Sequence, residues 1–374
     1  MANLVLYRKY RPKSFAEVVG QEHIVQTLQN AVRTNLISHA YLFSGPRGSG
    51  KTTLARILAK AVNCQSANRR TTGEPCNTCE NCQEINQGRA IDLIEIDAAS
   101  NRGIDEIRDL KEGIKFSPTK LTYKVFVIDE AHQLTKEAAN ALLKTLEEPP
   151  GHAIFILATT EVHRMIPTIV SRTQRFDFRK LRVEEIVKRL ENIAKKEGVK
   201  VEKPALELIA MSSEGALRDA ESILDKVLTF HHGYGTKDAI TAEIVKEILG
   251  IVDTNLIAEF VDFLGERKAA KAITFLNQKL EEGLNPQEFS KNIISYLRQM
   301  LFLAINPDLK STLDASFTKE QIQKIGEQAA KFRERHLIEI IEQFMQAENK
   351  MKYSSIVQLP LELAIIDACH GEKE

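Results

Sequence analysis

The stretch that most limits what this chain can become is Gly45-Pro46-Arg47-Gly48-Ser49-Gly50-Lys51-Thr52. An apolar run, "AYLFS" at 40–44, precedes it, and "KTTLARILAKAV" follows with helical spacing. The pattern predicts a strand, a glycine loop and a helix in direct succession. Glycines let the backbone curl until its N–H groups point at one anion, and the helix adds its positive end. Lys51 can then reach the outer phosphates of a nucleotide, and the Thr52 hydroxyl can ligate Mg²⁺. Gly45 to Thr52, together with Thr53, are the expected phosphate contacts.

The flanking sequence supports that reading. Strand-like runs at 40–44, 91–97, 124–129, 153–159 and 174–178 alternate with amphipathic helical segments. Short buried strands alternating with helices predict an α/β fold with a mainly parallel sheet covered on both faces. After about residue 180 the strand signal stops and helical spacing continues to the end. A chain of 374 residues is too long for one ordinary core. Three blocks are expected: α/β over 1–179, a small helical block over 180–243 and a larger all-α block over 244–374.

"VFVIDE" (125–130) supplies the chemical partner of the loop. It places two carboxylates at the C-terminal end of a buried strand, where open α/β sheets bind ligands. Asp129 is suited to the Mg²⁺ shell and Glu130 to orienting and deprotonating a water. Loop and acidic strand together point to ATP hydrolysis. Net charge is zero, with 51 basic and 51 acidic side chains, yet residues 1–70 hold eleven Lys and Arg against Glu17 and Glu22. Eleven minus two leaves +9 there, a local potential that favours phosphate ligands or is simply a solvated basic face.

Four of five cysteines crowd between Cys64 and Cys82. "PCNTCENC" lacks the last element of the ferredoxin run C-x₂-C-x₂-C-x₃-C-P. Cys64, Cys76, Cys79 and Cys82 fit a tetrahedral thiolate set for structural Zn²⁺, with four unligated thiols as the alternative. Cys369 reads as a buried helix residue. No run of about 18 apolar residues exists and the N-terminus lacks signal-peptide features, so a cytoplasmic protein with no membrane partner is expected.

"VIDEAH" (127–132), "HAYLFSGPRGSGKTT", "NALLKTLEEPP" and "SRTQRF" resemble the clamp-loader branch of the AAA+ ATPases. "RKYRPKSFAEVVGQEH", "CQEINQGRAIDLIEIDAAS" and the cysteines narrow the resemblance to the γ/τ family of bacterial DNA polymerase III. It implies an AAA+ ATPase domain over 1–179 with a zinc module at 64–88, a lid over 180–243 and an oligomerisation collar over 244–374. Thr159 takes the place of the γ-phosphate sensor, and Arg172 that of a finger into a neighbouring subunit's ATP. Thr173 stands where the family carries Cys. Arg218 in "EGALRDAES" matches the second sensor, and Arg11, Pro12, Val18 and Val19 match the segments around adenine and ribose.

The resemblance further implies δ- and δ′-type subunits, further copies of the chain, a sliding clamp and primed DNA held by backbone contacts as partners. The loop that often contacts DNA here reads Asn101-Arg102-Gly103, with only Arg102 basic. An assembly scaffold of the replisome or another AAA+ DNA-remodelling ATPase are the alternative functions; the cysteine module and "LLKTLEEPP" disfavour a branch-migration helicase.

Overall fold

The computed structural model describes residues 4–100, 113, 114, 116–233, 239–250, 253–306 and 319–370. Arg102 lies outside them. The chain divides after Val245 into two compact units.

The first unit is built on five strands: β1 (Ala40–Ser44), β2 (Leu93–Asp97), β3 (Lys124–Asp129), β4 (Ala153–Thr159) and β5 (Gln174–Asp177). All neighbouring pairs are parallel, in the order β2-β3-β4-β1-β5. β1 and β4 are buried along their whole length, which explains their unbroken apolar reading. Side chains alternate between two cores. Tyr41, Phe43, Val125, Val127, Ile154 and Ile156 face one, packed by the helices Glu22–Thr34 and Lys51–Asn63. Leu42, Phe126, Ile128, Phe155 and Leu157 face the other, covered by the helix Lys136–Glu147. Phe126 and Phe155 stack there with ring centroids 5.2 Å apart.

The topology sets where chemistry can occur. The chain leaves β1, builds β2 at the far edge, and returns through β3 and β4 to pair β4 with β1. Ser44 thereby lies opposite Thr159, and Ile128 opposite Leu157. The carboxyl ends of β1, β4 and β3 come to lie side by side. After the sheet the same unit continues, among the described residues, in the helices Val183–Glu197, Lys203–Ser212 and Leu217–Gly233. The first ends at Gly198, which takes a left-handed φ of 75° as a helix C-cap.

The second unit is helical. The helices Thr254–Gly265, Pro286–Ile305, Glu334–Met351 and Leu359–His370 pack around Phe260, Phe289, Leu297, Ile340, Phe344 and Ile365. Cys369 is buried in this core. Among the described residues, no helix is long and apolar enough to cross a membrane.

One strand starts later than its sequence suggests. The apolar run begins at Ile91, yet β2 begins at Leu93 and Ile91 is exposed. Asp92 is the reason. It is buried, and its carboxylate accepts the backbone N–H groups of Thr119, Lys120 and Leu121 at 2.8–3.0 Å. Burial opposes ionisation, but these bonds prevail and hold the carboxyl below its usual range. A depressed carboxyl stabilises the fold above its unfolded pKa, and that contribution is lost as pH falls through the folded value. Asp92→Asn is expected to cost about 2 kcal/mol at pH 7, because an amide group then faces N–H donors. Urea unfolding at several pH values checks this: the deficit should shrink as pH drops below the ordinary carboxylate range.

Candidate nucleotide site and cysteine centre

The loop after β1 wraps around its own lysine. Lys51 is buried, and its Nζ donates to the carbonyl oxygens of Gly45 and Pro46 at 2.8 and 2.9 Å. Burial lowers its pKa; Glu130 and Asp129 oppose that shift. Gly45, Gly48 and Gly50 all have positive φ. At Gly45 the need for glycine is steric: a Cβ would sit 2.5 Å from the Phe178 carbonyl oxygen. Gly50 caps the following helix at φ 99°, so the N–H groups of its first turn are open to an anion.

The end of β3 meets this loop. The Thr52 hydroxyl donates to Asp129 Oδ2 at 2.8 Å. Glu130 adopts φ 48° and ψ 43°, a left-handed conformation unusual for a glutamate, which turns its side chain out of the strand direction. Thr160 Oγ1 donates to Glu130 Oε2 at 3.0 Å, and His132 Nδ1 lies 3.5 Å from the same oxygen. Thr159 is fully buried at the end of β4; its hydroxyl pairs with His132 Nδ1 at 2.9 Å and accepts the Glu161 N–H at 3.0 Å.

A cleft of about 330 Å³ opens over these groups. Arg47, Gly48, Ser49, Gly50, Lys51, Thr52, Thr53, Asp129 and Glu130 line it from the glycine loop and the end of β3. Arg11, Pro12, Val18 and Val19 line it from the N-terminal segment, and Leu181, Leu217, Arg218 and Glu221 from the helical part of the same unit. Gly45 and Pro46 contribute the carbonyls that accept from Lys51 and are not part of the lining. Arg11 Nε donates to Thr53 Oγ1 at 3.1 Å. Burial, aided by Arg56, brings Arg11 down to about 10, still cationic at neutral pH. The Arg218 guanidinium lies 4.7 Å from the Tyr7 ring centroid.

Besides Gly45 and Pro46, the predicted residues Thr159 and Arg172 lie off the cleft lining. Thr159 reaches Glu130 only through His132. Arg172 follows the short helix Pro167–Val170 and is part-exposed, donating to Glu147 Oε1 at 2.7 Å and to the Thr168 carbonyl at 2.9 Å.

The four cysteines converge. The sulfur atoms of Cys64, Cys76, Cys79 and Cys82 all lie within 4.8 Å of one another. Tetrahedral zinc with ~2.3 Å Zn–S bonds would set sulfurs about 3.8 Å apart, so the set fits with little adjustment. Cys64 ends the helix of the glycine loop, and its Sγ accepts the Cys76 N–H at 3.4 Å; Cys76 Sγ accepts the Cys79 N–H at 3.2 Å. Burial pushes the Cys82 and Cys64 thiols up. Burial acts the same way on Cys76, but hydrogen bonds from Thr78 and Cys79 outweigh it and bring that thiol to about 6. Four thiols this close, two buried and two half-buried, are a donor set compatible with a thiophilic cation such as zinc.

Three family descriptions match successive parts of the chain. They are "DNA polymerase III, delta subunit" over residues 20–182, "DNA polymerase III clamp loader subunit, ATPase lid domain" over 185–233, and "DNA polymerase III subunits gamma and tau domain III" over 240–373. DNA polymerase III subunit tau of Bacillus subtilis is 43% identical over 369 residues, covering 99% of this chain and 64% of that protein. DNA polymerase III subunit gamma of Buchnera aphidicola subsp. Acyrthosiphon pisum is 34% identical over 365 residues, 97% of each chain. The chain belongs to the DNA polymerase III gamma/tau subunit family.

It spans about two thirds of the Bacillus subtilis tau subunit and, at 40% identity, 46% of the tau subunit of Escherichia coli. A solved structure of the Thermotoga maritima RuvB Holliday junction branch migration motor matches with a TM-score of 0.50 at 22% identity, over 68% of this chain and 79% of that one. That likeness is one of AAA+ fold alone.

For this gamma/tau chain, sequence reading passed over His132, Thr160 and Glu221. His132 sits inside the quoted "VIDEAH" and Thr160 directly after Thr159, so proximity to the motifs was the available signal. Glu221 stands three residues after Arg218 and four after Leu217, on the same helix face. It is buried, and burial raises its carboxyl to about 7 although Arg189 Nε donates to it at 3.2 Å.

Proposed function

We propose that this chain is the ATP-hydrolysing motor subunit of a bacterial clamp loader, which loads a sliding clamp onto primed DNA during chromosomal replication as part of the DNA polymerase III holoenzyme. The observation that carries the reading is one cleft lined by Lys51, Thr52, Asp129, Glu130 and Arg218 together. Membership of the gamma/tau family supports the replication setting. The domain reading that accompanies it is an ATPase domain to 179 with its zinc module at 64–88, a lid to 243 and a collar beyond.

The chemistry follows from the residues. An arriving phosphate gives Lys51 an anionic partner in place of the neutral carbonyls of Gly45 and Pro46, which offsets the cost of burying its charge. Thr52 and Asp129 would hold Mg²⁺; when bound, that ion neutralises charge on the outer phosphate oxygens. Glu130 is the group that orients and deprotonates water, and Thr160 and His132 restrain it. Thr159 acts on this carboxylate through His132, as a positioning residue. Arg218 reports phosphate to the lid helix, while Arg11, Pro12, Val18 and Val19 enclose the base and ribose.

Arg172 completes a neighbouring copy's site. Its part-exposed guanidinium rests on a surface glutamate, a weak pairing that a phosphate anion can displace. Partners in the reading are δ- and δ′-type subunits, further copies of the chain, the clamp, and DNA held by salt-sensitive phosphate contacts in the cytoplasm. A second reading, an assembly scaffold, is favoured by one observation in the helical unit. Leu359, Leu363 and Ile366 recur at helical spacing and are 41%, 53% and 37% exposed.

Three outcomes are expected. Lys51→Ala should lower the ATPase rate about 10²-fold or more and abolish clamp loading with the melting curve unchanged. Arg172→Ala should bind ATP normally but lose about 10³-fold in hydrolysis, only in the assembled loader with primed DNA present. Metal analysis of chain purified without chelator should find one zinc per chain, and Cys82→Ser should lose it and melt at lower temperature.

A further inference from the structure

The cysteine insertion does more than fold upon itself. The segment 13–17 connects Arg11 and Pro12 to Val18 and Val19, and all four of these line the cleft. That connecting strap is gripped from the insertion side. The Glu74 carboxylate, two residues before Cys76, accepts the Phe15 and Ala16 N–H groups, both at 2.9 Å. The same carboxylate accepts Gln29 Nε2 at 2.7 Å, which ties it to the helix Glu22–Thr34. Gly73 lies so close to that helix that a Cβ would meet the Gln29 carbonyl oxygen at 2.5 Å.

A second grip comes through Lys60, a lysine only 2% exposed on the helix of the glycine loop. Its Nζ donates to three oxygens: the Lys13 carbonyl at 2.5 Å, and Asn77 Oδ1 and Asn86 Oδ1, both at 2.7 Å. Asn77 stands between Cys76 and Cys79, in a left-handed conformation at φ 58°. One buried cation therefore joins the strap, the phosphate-loop helix and the loop that holds two of the four thiols. Whatever orders the cysteine loop therefore also positions Asn77 and Glu74 against the strap and its lysine.

We propose that the cysteine module is a metal-dependent brace for the strap that encloses the base, so that metal and nucleotide bind cooperatively. The proposal rests on the reading of the cleft as a nucleotide site. Zinc bound at the thiols stiffens the strap from behind, and nucleotide bound in front stiffens it from within the cleft. Each ligand then removes part of the ordering cost of the other. Linkage requires the coupling to be reciprocal and of one size.

The test uses the full chain, zinc and a fluorescent ADP analogue. The wild-type chain stripped of zinc should bind the analogue about tenfold more weakly than the zinc-loaded chain, within the ~5–150-fold range of such couplings. Saturating ADP should shift zinc competition against a colorimetric chelator by the same factor. Glu74→Gln, which keeps all four thiols, should retain zinc yet weaken analogue binding, while Arg70→Ala on the exposed face of the insertion should change neither. Equal analogue affinity with and without zinc, or zinc competition that ignores ADP, overturns the brace while leaving the nucleotide site intact. A wild-type chain that binds no nucleotide at all overturns both readings, and the reciprocity arm depends on no variant folding.

Discussion

The Thr52–Asp129 hydrogen bond joins the start of a helix to the end of a strand, 77 residues apart in the chain, and the geometry of the cleft depends on that juncture. Neither residue reaches the other by local structure. They meet because β4 is inserted between β1 and β3, which sets the carboxyl ends of three strands in a row. Shifting a parallel pairing by one residue would turn each side chain to the opposite face. The two aromatic and aliphatic cores therefore hold the register, and the register holds the site.

Buried cations are the second recurring device. Lys51 and Lys60 lie on one helix, nine residues apart, and both are nearly excluded from water. Isolated, each charge would be costly there. Lys51 is held by two carbonyls of its own loop, at the edge of the cleft. Lys60 is held by three acceptors from three segments, a finished arrangement with no room for a ligand. Burial brings the Lys60 amine to about 8. The same residue type is thus buried once against carbonyls at the edge of the cleft and once among three acceptors beneath the strap, and the neighbours make the difference.

The glutamate after β3 shows a similar division. Asp129 ends the strand in regular geometry and meets Thr52, whereas Glu130 is turned into a left-handed conformation and restrained by Thr160 and His132. Two adjacent carboxylates thus point to different partners, because the backbone turns between them and different side chains hold each. Holding a glutamate at φ 48° costs of order 1–3 kcal/mol, which the packed strand ends around it offset.

What the sequence by itself determined was everything encoded over short distances. The glycine loop, the acidic strand end, each single strand or helix and the cysteine spacing all arise within about twenty residues, where spacing specifies geometry. The contacts that make these pieces one site were decided only in three dimensions. Glu221 reaches the cleft because the helix Leu217–Gly233 lies over the loop, and nothing local to Glu221 states that. Glu74 and Lys60 grip the strap across 58 and 47 residues. Ile91 was a strand residue by composition, and the three N–H groups gathered by its neighbour Asp92 took it out of the sheet. The physical reason is common to all: hydrophobic periodicity records which face is buried, but not which distant donor or acceptor will be waiting there.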